Sequence, residues 1–343
     1  MSTYRIREER LPALFEETAK KRKLYLPTDT AEGVAAFLPY REGMTLTASP
    51  NTSRSAKDLF FPQTETLADF KVSGREIAVV DVREECEDFL LFGVRACDVK
   101  SFEILDRVFL AEPVDSFYKN RREHGTVVSL ACASPVETCF CGTFGIDCAD
   151  PEGDAAAYRW EGYYYFVPLT EKGEEYLASV ESLLEETDDG PVWDAKGEIY
   201  RRKASLPLKS LTTEGFGGER TKELFNSEKW ESLSEACLGC GTCTYVCPTC
   251  QCFDIRDFDT GQRIRRYRCW DSCMVSDFTK MAGGNPRPTQ KERFRQRFMH
   301  KLVYFPAENE GIFGCVGCGR CLAQCPISMN IVKVMKALKE EKE

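Results

Sequence analysis

Histidine is nearly absent from this chain of 343 residues: only His124 and His300 occur. That excludes a haem protein with paired histidine ligands and a metal bound mainly by imidazole. No apolar run approaches the roughly 20 residues that a bilayer-spanning helix needs. The opening "MSTYRIREERLPALFEE" is charged and has no apolar core followed by small residues, so it does not read as a secretory signal and the expected location is the cytoplasm. There is no phosphate loop of the Walker type, and "GFGG" at residues 215–218 is too short and misspaced for a dinucleotide fingerprint. The chain is therefore not expected to bind a nucleotide itself.

Cysteine, by contrast, is abundant, at 18 residues. In a reducing compartment such a number reads as metal ligands rather than disulfides. Charge is uneven as well. From Arg256 to Lys301, twelve Lys and Arg stand against five Asp and Glu, a local +7 in a chain of net −9. A solvated or salt-bridged face is the plain reading of that stretch, while the overall acidity and the lack of any finger spacing argue against nucleic acid.

The patterning is that of an α+β protein in two parts. Residues 1–225 read as a mixed α/β domain, with β-rich runs at "GVAAFLPY", "EIAVVDV", "DFLLFGV", "GTVVSLAC" and "GYYYFVPL". Helical stripes fall at "ERLPALFEETAKK", "DVKSFEILDRVFL" and "GEEYLASVESLLEE". The glycine- and charge-rich "TTEGFGGERTKELFNSE" marks the boundary. Residues 226–343 read as a mainly helical, ferredoxin-like two-cluster domain with an insertion at 248–314. Its last helix, within "SMNIVKVMKALKEEKE", has Ser328 as the expected cap and Ile331, Val334, Met335 and Leu338 facing inward.

The cysteines of the second part are written twice. "CLGCGTCTYVCP" at 237–248 recurs as "CVGCGRCLAQCP" at 315–326, with seven of twelve positions identical and the spacing C-x2-C-x2-C-x3-C-P in both. Three thiolates spaced three apart wrap one 4Fe-4S cluster, and the intervening glycines let the backbone turn tightly. In two-cluster ferredoxins the fourth cysteine ligates the other cluster, and the proline after it sends the chain away. The expected ligand sets are thus Cys237, Cys240, Cys243 and Cys325 for one cluster, and Cys315, Cys318, Cys321 and Cys247 for the other. Structural zinc would pair two C-x2-C knuckles about 15–20 residues apart and would leave the third cysteine of each arc without use. A cube of two ferrous and two ferric irons carries about −2 with its sulfides and thiolates, a charge whose burial needs cations and donors. Arg320 and the basic "RQRFMHK" at 295–301 are at hand, and either a raised potential or an acidic docking partner would suit them.

Ten further cysteines lie outside the doubled motif, nine of them in two groups. Cys250, Cys252, Cys269 and Cys273 of the insertion are either small packing residues or ligands of an additional metal site. In the first part Cys97 follows the "DFLLFGV" strand, Cys132 ends "GTVVSLAC", and Cys139 and Cys141 form "CFC". Two strand ends and a loop would bring these four together as the ligands of a third 4Fe-4S cluster. Packing residues and zinc are the alternatives, and Cys148 would substitute for one of the four. The tenth, Cys86, is expected as an unliganded thiol.

Longer stretches carry a family resemblance. "CPTCQCFDI", "WDSCMVSDFTKMAGG", "RQRFMHKLVYFP" and "GCVGCGRCLAQCP", with "FGVRACDVKSFEILDRVF" and "DSFYKNRREHGTVVSLACASPVETCFC" earlier, resemble the iron-sulfur beta subunit of cytoplasmic sulfhydrogenases and its iron-sulfur counterpart in anaerobic sulfite reductase. The resemblance covers most of the chain. It implies an electron carrier linking a flavin- and NAD(P)H-binding diaphorase to a separate catalytic subunit: a hydrogenase, a sulfite reductase or a heterodisulfide-reductase-like module. Two other functions stay open on the residues alone. One is a sulfur- or disulfide-reducing enzyme working through the insertion cysteines, and the other is a scaffold whose clusters only hold the fold.

Overall fold

The computed structural model describes residues 2–82 and 86–339. Twelve strands form two sheets among the described residues: β1 (Thr3–Arg7), β2 (Lys23–Asp29), β3 (Ala35–Pro39), β4 (Thr64–Ser73), β5 (Glu76–Val80), β6 (Phe89–Val94), β7 (Gly125–Leu130), β8 (Ala155–Trp160), β9 (Tyr163–Pro168), β10 (Glu185–Thr187), β11 (Phe253–Asp259) and β12 (Arg263–Trp270). The larger sheet has the order β10-β1-β9-β8-β7-β6-β2-β3. At its centre β6 and β7 pair in parallel and are buried at every position. A strand covered on both faces has no polar alternation, which is why "FLLFGV" and "GTVVSL" read as nearly continuous apolar runs. One face is covered by the helix Leu11–Ala19 through Leu11, Leu14 and Phe15. The other packs on the helix Ala96–Phe109 through Phe102, Leu105 and Phe109.

All five expected strands form, and the content is α+β. Two expectations need correction. "GEEYLASVESLLEE" does not run as one helix: it stops at Ser179, and β10 leaves it to pair antiparallel with β1 while Leu183 and Leu184 settle on the core. Hydrogen bonds along a sheet edge win there over further helical turns. "EIAVVDV" is a strand but not a core strand, since Ile77 and Val79 are 65% and 68% exposed on β5.

That strand belongs to the second sheet, ordered β11-β12-β4-β5. Antiparallel pairing of β12 with β4 joins the insertion to the first part, across the position of the expected boundary. The seam is clamped by Arg268, 2% exposed, whose guanidinium is bound by Glu65 at 2.7 Å and by Asp115. Much of the basic excess is consumed on this hairpin: Arg256 pairs with Asp254, Arg263 with Asp69 and Arg266 with Asp257.

The terminal helix is Ile331–Lys339, and its four expected inward residues are all buried. Its cap is Asn330 rather than Ser328. Asn330 Oδ1 accepts from the Val332 and Lys333 amides at 3.1 and 3.2 Å, while Ser328 takes a φ of 53° in the turn before it. No helix among the described residues is long and apolar enough to cross a membrane.

Candidate cluster-binding site

Each copy of the doubled motif turns on two left-handed glycines: Gly239 and Gly241 with φ of 65° and 73°, Gly317 and Gly319 with 58° and 79°. Each then enters one short helical turn, Thr242–Tyr245 or Arg320–Ala323, and these two turns pack against each other. The repeats therefore stand face to face. Cys247, the fourth cysteine of the first copy, lines a cavity together with Cys315, Cys318 and Cys321 of the second. In the first copy Cys237 and Cys243 pack into the surrounding apolar cluster, and Cys240 is exposed. Cys325 follows the Arg320–Ala323 turn, its thiol donating to Met329 O at 3.4 Å.

Three buried cations converge beside these thiols. The helix Gln290–Met299, started by a Thr289/Glu292 capping box, continues as a π-helical turn at His300–Tyr304. Phe294, Arg297, Phe298 and Lys301 lie along its buried side. Lys301 Nζ donates to Thr249 Oγ1 at 2.8 Å and Gly314 O at 2.9 Å. Arg297 donates to Cys243 O at 2.7 Å and lies 3.7 Å from Cys250 Sγ, and its buried Nε has no hydrogen-bond partner. Lys57 arrives from the first part: its Nζ donates to Cys247 O and Cys250 O, both at 3.0 Å, and sits 3.8 Å from the centre of the Trp270 ring.

These contacts are carbonyls, a hydroxyl, sulfur and a ring rather than carboxylates, so the cations are hydrogen-bonded but not neutralised. Burial works against the charge on Lys301, yet the neighbouring Cys247 and Cys250 outweigh it and raise its pKa. Burial also pushes the Cys315 thiol up to about 12 and raises Cys321. A buried cation without an anion is expensive, and so is a buried thiolate without a cation. An anionic body held by soft sulfur donors resolves both costs. The residues fit a 4Fe-4S cluster: four thiols around a cavity, an idle N–H beside it and glycine turns in both loops.

Arg320 plays a different part from the two expected for it. It is 3% exposed and binds Asp98 through two bonds of 2.6 Å, while its Nε donates to Thr52 O at 2.8 Å. It anchors the second motif to the helix Ala96–Phe109 and is closed to a docking partner. The loop is also sewn to the first part by its backbone, since Phe140 N–H donates to Gly317 O at 2.9 Å.

The other cysteines divide. In the insertion Cys250 touches Cys247 and Cys252 touches Cys273, whereas Cys269 on β12 has Arg256, Asp254 and Asp271 as its charged neighbours. The four are not gathered at one point. In the first part Cys97, Cys132, Cys139 and Cys141 all line one cavity of about 170 Å³, joined there by Cys148 and by Cys318. Cys86 lines a separate cleft, its thiol 3.6 Å from Glu87 O. His124 pairs with Asp88 at 2.7 Å on the surface. Sequence reasoning missed Lys57, which nothing in "SAKDLFF" distinguishes from a surface lysine. Arg297 and Lys301 did carry a signal: two cations inside an apolar stripe at helical spacing.

Residues 236–329 match the family model of the 4Fe-4S dicluster domain. The chain is similar to sulfhydrogenase 2 subunit beta of Pyrococcus furiosus, with 35% identity over 273 residues, 79% of this chain and 79% of that one. No solved structure matches it.

Proposed function

The chain belongs to the sulfhydrogenase beta-subunit family, and from that premise we propose that it relays single electrons within an anaerobic, cytoplasmic redox complex, between a flavin- and NAD(P)H-binding diaphorase and a catalytic subunit. The latter is a hydrogenase, a sulfite reductase or a heterodisulfide-reductase-like module. Cys237, Cys240, Cys243 and Cys325 hold one 4Fe-4S cluster, and Cys315, Cys318, Cys321 and Cys247 hold the other. When bound, each supplies a one-electron couple.

The observation that carries this reading is the placement of Cys247 among the second copy's three cysteines, walled by Arg297 and Lys301. The chain's own residues do four things. Thiols bind; Lys57, Arg297 and Lys301 offset buried negative charge; Phe294, Phe298 and Met335 exclude water. At the first copy, exposed Cys240 and Leu238, the latter 66% exposed, offer a rim where a partner reaches the site. Against the sulfur-reducing reading, Cys252 and Cys273 are half-buried and hydrogen-bonded to each other rather than presented to solvent.

Anaerobic purification with identification of the accompanying proteins tests the assignment. The reading expects reduction of the full chain by the diaphorase with NAD(P)H, and reoxidation by the catalytic subunit. Reduction of a disulfide or sulfur substrate by the chain alone would instead establish the reductase reading.

A further inference from the structure

The cavity of about 170 Å³ in the first part is far larger than a lone metal ion requires. A cavity of roughly 150 Å³ takes a guest the size of benzene. Its cysteines come from three places in the fold. Cys132 follows β7, and its amide donates to Cys148 O at 2.9 Å, so the loop carrying Cys148 lies directly against the strand end. Cys139 and Cys141 flank Phe140, the residue hydrogen-bonded to the second motif loop. Cys97 enters from the first turn of the helix Ala96–Phe109.

The five are not equivalent. Cys148 is hydrogen-bonded to Cys141 and lies within electrostatic reach of Cys132 and Cys139. Cys97 reaches Cys132 and Cys141, but it also faces Cys318 of the second motif. Positive and polar groups are at hand for buried sulfur. Arg95 stands by Cys132 and Cys139, and Lys203 by Cys148. Asn51 spans the gap, its Nδ2 4.0 Å from Cys139 Sγ and 2.9 Å from Cys318 O.

We propose that Cys132, Cys139, Cys141 and Cys148 hold a third four-iron cluster, next in line after the site of Cys247, Cys315, Cys318 and Cys321, and that Cys97 is the unliganded side chain packed between the two. This rests on the cluster reading of the doubled motif. A mononuclear zinc needs its sulfurs about 2.3 Å from one point. Among the described residues no three Cys, His, Asp or Glu side chains converge in that way. An inorganic cube, with its own irons and sulfides inside, holds the thiolates farther apart and suits the wider cavity. Adjacency to the second motif is fixed by backbone contact: a Cβ on Gly317 would stand 2.4 Å from Phe140 O, and one on Gly319 2.5 Å from Thr138 O. The relay then has two ends, one at exposed Cys240 and one at the cavity wall formed by Lys203, Leu206 and Lys209.

Iron, zinc and acid-labile sulfide are counted per chain, with Mössbauer spectra, on the anaerobically reconstituted full chain and its Cys148→Ser, Cys132→Ser and Cys97→Ser variants. The wild type and Cys97→Ser should hold about 12 irons, and Cys148→Ser and Cys132→Ser about 8. A wild-type count of about 8, with or without one zinc, overturns the third cluster and leaves the two-cluster reading standing. Loss of four irons from Cys97→Ser, or retention of about 12 by Cys148→Ser, overturns the ligand assignment. Iron near zero in the wild type removes the cluster reading as a whole.

Discussion

The two copies of the cysteine motif share their spacing and their glycine turns but not their surroundings. Leu238 of the first is 66% exposed, while Val316 at the same place in the second is 2% exposed. Cys240 is exposed and Cys318 buried. Thr242 is partly open, whereas its counterpart Arg320 is buried on Asp98. A Cβ on Gly239 would meet the movable end of Gln290 at 2.8 Å; one on Gly317 would meet the Phe140 carbonyl at 2.4 Å. One copy thus sits at a rim and the other in the seam between the two parts. The repeated spacing specifies what is held, and the unrepeated neighbours specify from which side it is reached.

The contrast can be broken most severely at the glycines. Gly317→Ala combines a left-handed φ with a backbone clash, and we expect a loss of roughly 3–6 kcal/mol. Gly239→Ala, with only the φ and a flexible neighbour against it, should cost about 1–2 kcal/mol. Urea unfolding of both variants under anaerobic conditions checks the ratio, and equal losses would mean that the loops are not differently seated.

Next in size is the charge at the shared sixth position. Arg320→Met leaves Asp98 buried and unpaired, for an expected loss of about 3–5 kcal/mol, while Thr242→Ala should cost about 1 kcal/mol or less. Adding Asp98→Asn to Arg320→Met should recover part of the loss. Absence of any recovery would show that Asp98 is not what the arginine neutralises.

A smaller effect sharpens the picture of the buried cations. Burial, with Lys301, Arg287 and Arg297 close by, holds the pKa of His300 down to about 4 from 6.5. The unfolded chain takes up this proton first, so the His300 contribution is intact above pH 6.5 and shrinks between 6.5 and about 4. The total is roughly 3 kcal/mol, and nothing more is lost below that. His300→Gln should flatten that limb when unfolding midpoints are followed from pH 7.5 to 4.5.

Elements set by their own residues were legible in the chain. Apolar runs such as "FLLFGV" and stripes such as "LPALF" found their strand and helix because burial alone decides them. The cysteine sets were legible wherever spacing is short, and four of the thiols expected at the N-terminal site do share one cavity. What pairing at a distance decides was not legible. The β12–β4 ladder joins residues about 200 positions apart, and it turns "EIAVVDV" outward onto a sheet that no local pattern announces. Lys57 and Arg320 read as solvent-facing for the same reason, since their partners Cys250 and Asp98 are remote in sequence. Cys269 was grouped with the other insertion cysteines by proximity along the chain, but its place on β12 sets it apart.

Crosswise ligation by the two copies is tested most directly by electron paramagnetic resonance of the dithionite-reduced chain, comparing Cys325→Ser with Cys240→Ser and Cys318→Ser. The change in Cys325→Ser should match that of Cys240→Ser, because both remove a ligand of the rim cluster, and should leave the signal altered by Cys318→Ser intact. A Cys325→Ser spectrum that instead matches Cys318→Ser would contradict the shared grip of the two loops.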